Sequence, residues 1–192
     1  MSIRQVVRTL LLAALLGALP ASATTQLAVD LSGLARGADA VVHGVVRRVE
    51  SRWSGDKMRI ITDVEIQVTE SLKGQPGGTV LVTQPGGRVG DVGQVVHGLA
   101  SFATGEEVVV FLEKRGARAF RVSSMAQGKY QVKRDAGGKA ALAVPEASEA
   151  LLLDPVTRKP SASALKPLTL EQLKAAVHAA LQSAPAQKGQ TP

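Results

Sequence analysis

The alternation of side chains in residues 60–69 constrains the fold of this chain more strongly than any other feature of its sequence. One set of alternate positions is apolar apart from one threonine: Ile60, Thr62, Val64, Ile66 and Val68. The intervening set is mostly polar: Ile61, Asp63, Glu65, Gln67 and Thr69. Because successive side chains of a β-strand point to opposite faces, this pattern predicts a strand with one buried and one solvated face. Strands of this kind are typical of antiparallel sheets.

Further valine-rich or alternating runs predict strands on both sides of this one. The longest covers residues 40–53, and Gly44 in its middle indicates a bulge or sharp bend. The other runs lie between turn residues, at 79–83, 107–112, 117–124, 129–133 and 139–144. About seven short strands at such spacing predict an all-β barrel or sandwich. We expect antiparallel pairing throughout, with the third strand beside the fourth and the fifth and sixth forming a hairpin.

A short helix is predicted near the start of the β-rich domain, which we place at residues 24–144. Leucines within residues 27–39 recur at helical spacing. Asp30 or Ser32 could cap the start of this helix, and Gly37 could end it.

A second helix is predicted at residues 168–182, after a linker or wrapping loop at 145–167. The sequence Thr169-Leu170-Glu171-Gln172 matches a capping box, in which the first and last side chains satisfy each other's backbone N–H groups. We expect this amphipathic helix to pack on the same domain through its apolar stripe, which consists of Leu170, Leu173, Val177 and Leu181. Residues 183–192 are small and polar, and we expect them to be disordered.

Residues 1–23 have the features of a cleaved secretory signal peptide. Arg4 and Arg8 precede an apolar stretch at 10–19, and Ala21-Ser22-Ala23 offers a cleavage site before Thr24. The alternative, an uncleaved anchor, is disfavoured because the apolar stretch is shorter than the ~20 residues that a spanning helix needs. We therefore expect export to the periplasm or the cell exterior, with no transmembrane segment after cleavage.

The chain has no cysteine and a formal net charge of +7. Without cysteine it can have neither a lipoprotein anchor nor disulfides, so its stability must come from packing. The basic residues are scattered along the chain, and aromatic residues make up 3% of it. Because binders of single-stranded nucleic acid combine positive charge with aromatic stacking platforms, we expect no nucleic-acid partner.

The glycine-rich loop at residues 85–98 is the predicted binding element. Its glycine spacing matches neither a Walker sequence nor a dinucleotide fingerprint, which leaves turn geometry as the alternative explanation. Long loops in compact domains are more often functional than idle. The predicted binding residues are Gly86, Gly87, Arg88, Asp91, His97 and Phe102.

The sequence offers little support for catalysis. It contains neither a cysteine nor a Gly-x-Ser-x-Gly elbow. His43, which should face outward or be satisfied by a hydrogen bond, could hold a metal with His97 and Asp91 if the three meet in space. However, the chain has no His-x-x-x-His pair, and neighbouring strand residues such as Glu106 and Glu107 point to opposite faces. We predict no metal and no cofactor.

Three segments together resemble a known pattern. They are Ala38-Asp39-Ala40-Val41-Val42-His43-Gly44, then Leu72-Lys73-Gly74, and then Phe102-x-x-Gly105-Glu106-Glu107-Val108-Val109-Val110-Phe111-Leu112. The pattern is similar to that of exported, uncharacterised bacterial proteins and, more distantly, to the netrin-like domain of metalloproteinase inhibitors. The resemblance implies a small OB-like antiparallel barrel with helices packed against it. The animal inhibitors act through an N-terminal cysteine, which this chain lacks.

The sequence therefore favours an exported, non-catalytic binding module that recognises a protein or an envelope glycan through residues 85–98. One alternative is a metal-dependent hydrolase that uses His43, His97 and Asp91. The other is an inhibitor of an exported protease.

Overall fold

The structure, a computed structural model, describes residues 24–135, 137–138 and 140–183. The strands in these ranges are β1 (Thr25–Leu27), β2 (Ala40–Trp53), β3 (Ile60–Lys73), β4 (Thr79–Pro85), β5 (Gly87–Val89), β6 (Val92–Gln94), β7 (Glu107–Arg115), β8 (Ala119–Val122), β9 (Lys129–Arg134), β10 (Ala141–Pro145), β11 (Leu151–Leu153) and β12 (Leu168–Thr169). The helices are α1 (Leu31–Gly37) and α2 (Leu170–Gln182), and a 3₁₀ turn covers Met125–Gly128. The predicted signal peptide and the predicted tail after Ser183 lie outside the described residues.

One large sheet has the strand order β12-β10-β9-β7-β2-β3-β4-β8, and β8 also pairs with β7. This additional pairing joins β7, β2, β3, β4 and β8 into a partly closed ring. The predicted fold class, a small all-β fold of barrel type with two helices, is confirmed. Closing a sheet into a ring covers the edges that an open sheet would expose.

Two predicted pairings are wrong, and both concern β8. The strand β4 lies between β3 and β8 rather than beside β7, and it runs parallel to β8 at the pair Val82 and Phe120. The strands β8 and β9 lie end to end along one edge of β7 instead of forming a hairpin. Because β8 follows β7 through a tight turn at Gly116, pairing these two strands costs little loop-closure entropy.

The long hairpin of β2 and β3 supplies two of the five strands of the ring. Its register shifts between His43 and Gly44, which confirms the predicted bulge. A Cβ atom at Gly44 would lie 2.3 Å from the carbonyl oxygen of Gln67, so the two strands approach too closely there for any side chain. The bulge lets the strands bend around the ring.

The strands bury side chains on both faces, which produces two hydrophobic clusters. The cluster inside the ring contains mainly valine from β2, β3, β4 and β7, in the group Ala40, Val42, Val46, Val64, Ile66, Val80, Val82, Val108, Val110 and Leu112. The cluster between the sheet and the helices includes Leu34, Val41, Leu72, Val109, Phe111, Tyr130, Leu173 and Val177. Because successive side chains of a strand point to opposite faces, the sequence neighbours Val110 and Phe111 belong to different clusters.

The C-terminal helix follows the prediction closely. Thr169 accepts a hydrogen bond from the Gln172 N–H, and the Gln172 side chain accepts one from the Thr169 N–H, which completes the capping box. Its buried face differs from the predicted stripe at one position, because Ala180 is buried and Leu181 is half-buried.

The N-terminal helix is shorter than predicted, and Asp30 caps it through a 2.6 Å hydrogen bond from the Gly33 N–H. The residues before it form β1, which pairs in parallel with β11. The predicted linker at 145–167 therefore contains a strand, and its Leu165 is buried in the cluster between the sheet and the helices. In the described ranges, no helix is long and apolar enough to cross a membrane.

Candidate functional site

The glycine-rich segment 85–98 contains a small hairpin in place of the predicted loop. The strands β5 and β6 pair in antiparallel register, and Gly90 and Asp91 form the two-residue turn between them. Gly90 has a φ of 58°, which the tight turns of such hairpins favour. The segment is therefore a folded projection beside the ring.

Two of the predicted binding residues, Gly86 and Gly87, fix the base of this hairpin. The Gly86 N–H donates to the Ile60 carbonyl at 2.9 Å, and the Thr62 hydroxyl donates to the Gly86 carbonyl at 2.7 Å. A Cβ atom at Gly87 would lie 2.2 Å from Oγ of Ser51 and 2.4 Å from Oγ1 of Thr62. The packing of the hairpin on β2 and β3 therefore explains why residue 87 is glycine, whereas residue 86 has a φ of 94°, which favours glycine.

The other four predicted binding residues lie in three different places. Arg88 and Asp91 are exposed at the hairpin tip. His97 is exposed in the segment after the hairpin, where its Nδ1 lies 3.4 Å from a carboxylate oxygen of Glu149. Phe102 is half-buried in a separate cleft. The predicted residues thus surround the hairpin without forming a single site.

A groove of about 420 Å³ lies between the base of the hairpin and the strands β4, β7 and β8. We call it the hairpin groove. Much of its surface is apolar, and its lining consists of Thr83, Gln84, Pro85, Val96, Leu99, Glu113, Arg115, Arg121, Val122, Ser124 and Met125. Its volume falls in the range of known ligand pockets, which are also mostly apolar with a few placed polar groups.

One wall of the hairpin groove is held in an unusual backbone conformation. Ser124 and Met125 are consecutive non-glycine residues with φ values of 53° and 57°. The Ala126 N–H donates to the Gly98 carbonyl at 3.0 Å, and Nε2 of Gln26 lies 3.0 Å from Sδ of Met125. Strained residues persist where the surroundings hold them, and they cluster at binding sites. These contacts make the wall a preformed part of the groove.

The rim of the groove on β7 and β8 is charged. Nε and Nη2 of Arg121 donate to Oε2 of Glu113 at 2.8 and 2.5 Å, and the Ser123 hydroxyl donates to Oε1 of Glu113 at 2.7 Å. Arg115 is exposed on the same rim, and no carboxylate in the described part of the chain forms an ion pair with it. The rim therefore carries one uncompensated positive charge.

Sequence reasoning selected the segment 85–98, as a loop, but missed most of the residues that line the groove. Most of the missed residues come from β7, β8 and the start of the 3₁₀ turn, which are distant in sequence from residues 85–98, whereas Thr83, Gln84 and Leu99 flank that segment. One signal was available: although basic residues are scattered along the chain as a whole, four of them, Lys114, Arg115, Arg118 and Arg121, lie within eight residues. The strained pair Ser124 and Met125 has no such signal, since neither residue type favours positive φ.

A second cleft, of about 510 Å³, contains a buried lysine, and we call it the lysine cleft. Nζ of Lys129 lies 2.7 Å from Glu106 Oε1 and 3.0 Å from Glu146 Oε2, donates to the Ser101 carbonyl, and lies 4.8 Å from the centre of the Phe102 ring. The contact with Glu146 Oε2 is short enough for an ion pair but is not aligned as a hydrogen bond. The buried ammonium of Lys129 is thus paired with two partly buried carboxylates, so its charge is compensated within the fold, which is typical of a structural cluster.

The three residues of the metal hypothesis lie in separate surroundings. His43 is buried, and its Nε2 lies 2.7 Å from Oε1 of Glu107, so the expected hydrogen bond is present. Hydrogen bonds from Arg134, together with burial and the contact with His43, set the pKa of Glu107, and the net effect lowers it. Among the described residues, no group of three or more potential ligands could hold a metal ion.

Comparison with known proteins finds neither a family model nor a curated protein that matches this chain. The resemblance to netrin-like domains therefore stays a prediction. The function has to be argued from the geometry of the two clefts.

Proposed function

We propose that this protein is an exported, non-catalytic module that binds an extended, apolar segment of a partner protein in the hairpin groove. The observation that carries the proposal is an open, mostly apolar groove between two walls that the fold holds in place. Apolar side chains that enter such a pocket release water and supply most of the binding energy.

The preformed walls favour binding, because association then costs little ordering of the protein. One wall is the base of the hairpin, which Gly86 and Gly87 attach to β2 and β3. The opposite wall is the strained turn at Ser124 and Met125, which Gln26 and Gly98 contact. Neither wall has to fold when a partner enters.

The polar groups of the groove favour a protein segment over a glycan. Glycan hydroxyls need many free hydrogen-bonding side chains, whereas the lining here includes the apolar residues Pro85, Val96, Leu99, Val122 and Met125. The carboxylate of Glu113 is already engaged by Arg121 and Ser123. This engagement also argues against its use as a catalytic base, which must be free to accept a proton from substrate.

Selection from a library of phage-displayed random peptides tests the proposal. We expect the chain from Thr24 onward to enrich peptides with two or three apolar residues in an extended segment. The substitution Leu99→Glu places a charge on the half-buried floor, so it should weaken binding of the selected peptides by about tenfold or more.

The matched control is Val156→Glu, at a residue that is 86% exposed and lies outside the groove lining. This variant should bind the same peptides as the unsubstituted chain, and thermal unfolding should show that both variants are folded. The proposal fails if no peptide is enriched, or if Leu99→Glu binds as well as Val156→Glu. Selective binding of envelope polysaccharide to the groove would replace it with the glycan hypothesis.

A further inference from the structure

The turn between β7 and β8 presents its basic residues to two different sides. In the antiparallel register, Glu113 lies opposite Arg121, and Arg115 lies opposite Ala119. Because side chains two residues apart share a face, Glu113 and Arg115 both line the hairpin groove. Lys114 and Arg118 instead line a pocket beside β4. The fold therefore places basic residues that are close in sequence on two different surfaces.

The two arginines that reach the hairpin groove differ in their surroundings. Arg121 forms a two-point contact with Glu113, and Glu113 is also held by Ser123, so this positive charge is neutralised within the protein. Arg115 is exposed at the same rim, and its guanidinium forms no ion pair with any described residue. A guanidinium carries donors in a fixed fork that matches a carboxylate at two points.

We infer that the hairpin groove selects acidic protein segments, in which apolar residues occupy the floor and a carboxylate binds Arg115. This inference rests on the proposed function and adds the chemistry of the partner. The charge of the rim supports it, because an uncompensated cation beside an apolar surface favours a ligand with the complementary charge.

The chain's own undescribed ends do not complement this rim. Residues 1–23 contain Arg4 and Arg8, and residues 184–192 contain Lys188, but neither segment has an acidic side chain. A separate partner with an acidic segment therefore fits the groove better than either end of this chain.

The test uses amidated, fluorescein-labelled hexapeptides built from Val, Leu and Met with one variable position. That position is scanned along the peptide and is Asp, Asn or Lys, and affinities are measured by fluorescence anisotropy at low salt. At the best register, we expect Asp to bind about five- to tenfold more tightly than Asn, and Asn more tightly than Lys. The preference for Asp should shrink as salt is added, because Arg115 is exposed.

The substitution Arg115→Gln should abolish the preference for Asp while leaving the affinity for the Asn peptide unchanged. The matched control Arg118→Gln removes a charge from the same turn but outside the groove, so it should keep the preference. This pair separates a specific contact from the general effect of net charge.

The outcomes distinguish this inference from the proposed function. Equal binding of Asp and Asn peptides, or a preference that survives Arg115→Gln, would overturn the inference and leave the groove as an apolar peptide site. Failure of every peptide to bind would overturn both. Displacement of the Asp peptide by an acidic polysaccharide at lower concentration than by unlabelled peptide would assign the groove to glycan.

Discussion

The hairpin groove and the lysine cleft are similar in size but differ in whether their cationic side chains are paired with carboxylates. In the lysine cleft, Nζ of Lys129 contacts Glu106, Glu146 and a backbone carbonyl, so its positive charge is compensated by groups of the same protein. In the hairpin groove, Arg115 faces solvent beside an apolar floor. The larger cleft, although it has more ionisable groups, is therefore a poorer candidate binding site than the smaller one, because its lysine is already paired with carboxylates of the same cleft.

Removing the buried lysine should produce the largest effect. The substitution Lys129→Met leaves the partly buried carboxylates of Glu106 and Glu146 without their cationic partner, so we expect a loss of about 3–5 kcal/mol in the free energy of unfolding. Urea denaturation measures this loss.

The matched control for that change is Lys133→Met, at an exposed residue of the same cleft. It should change the free energy of unfolding by less than ~0.5 kcal/mol. If the two variants were equally stable, the lysine cleft would not be a structural cluster, and the distinction between the two clefts would disappear.

The next largest effect is expected where the hairpin joins the ring. Gly87→Ala would bring a Cβ atom within 2.2 Å of Ser51 Oγ, at a φ of 127°. We expect a loss of about 2–3 kcal/mol in stability, together with weaker peptide binding as the wall of the groove shifts.

Gly90→Ala at the hairpin tip serves as the comparison, because a Cβ there meets open space and only the φ of 58° is unfavourable. It should cost about 1 kcal/mol and leave peptide binding intact. Equal losses at the two positions, measured by thermal unfolding, would show that the hairpin base is not packed as described.

The smallest effect on stability is expected at Glu107. Like Lys129 in the lysine cleft, this residue is paired with an oppositely charged side chain, here Arg134. Hydrogen bonds from Arg134 are the main cause that lowers the pKa of Glu107 below its usual value near 4.5. A lowered pKa in the folded state means that the ionised form adds stability above the usual value. That contribution is lost as the pH falls through the folded pKa.

The substitution Arg134→Gln tests this dependence. The unsubstituted chain should be the more stable of the two at neutral pH, and the difference should shrink as the pH falls below 4.5. Urea midpoints measured between pH 7 and pH 3 report it. A difference that stays constant to pH 3 would show that Arg134 acts through packing and not through the charge of Glu107.

Much of the secondary structure could be predicted because its signals are local. Alternation identified β3, the bulge at Gly44 followed from a glycine within a strand, and the capping box located the start of α2. Each feature depends on residues within a few positions of one another, where side-chain period and backbone preference act directly.

The pairing of strands and the hairpin groove could not be predicted in the same way. The position of β8 between β4 and β7 depends on contacts between distant segments, and alternation is compatible with more than one strand order. The groove exists because this order brings Leu99, Met125 and Arg115 together.

By itself, the sequence determined that this chain is a β-rich fold with a C-terminal helix, because the spacing of apolar and turn residues acts over short distances. The tertiary structure decided which charges are neutralised and which stay free. Arg115 and Arg121 look alike in the sequence, and only the register that places Glu113 opposite Arg121 distinguishes them. The physical reason is that neutralisation depends on distances of a few ångströms between side chains, which strand pairing sets.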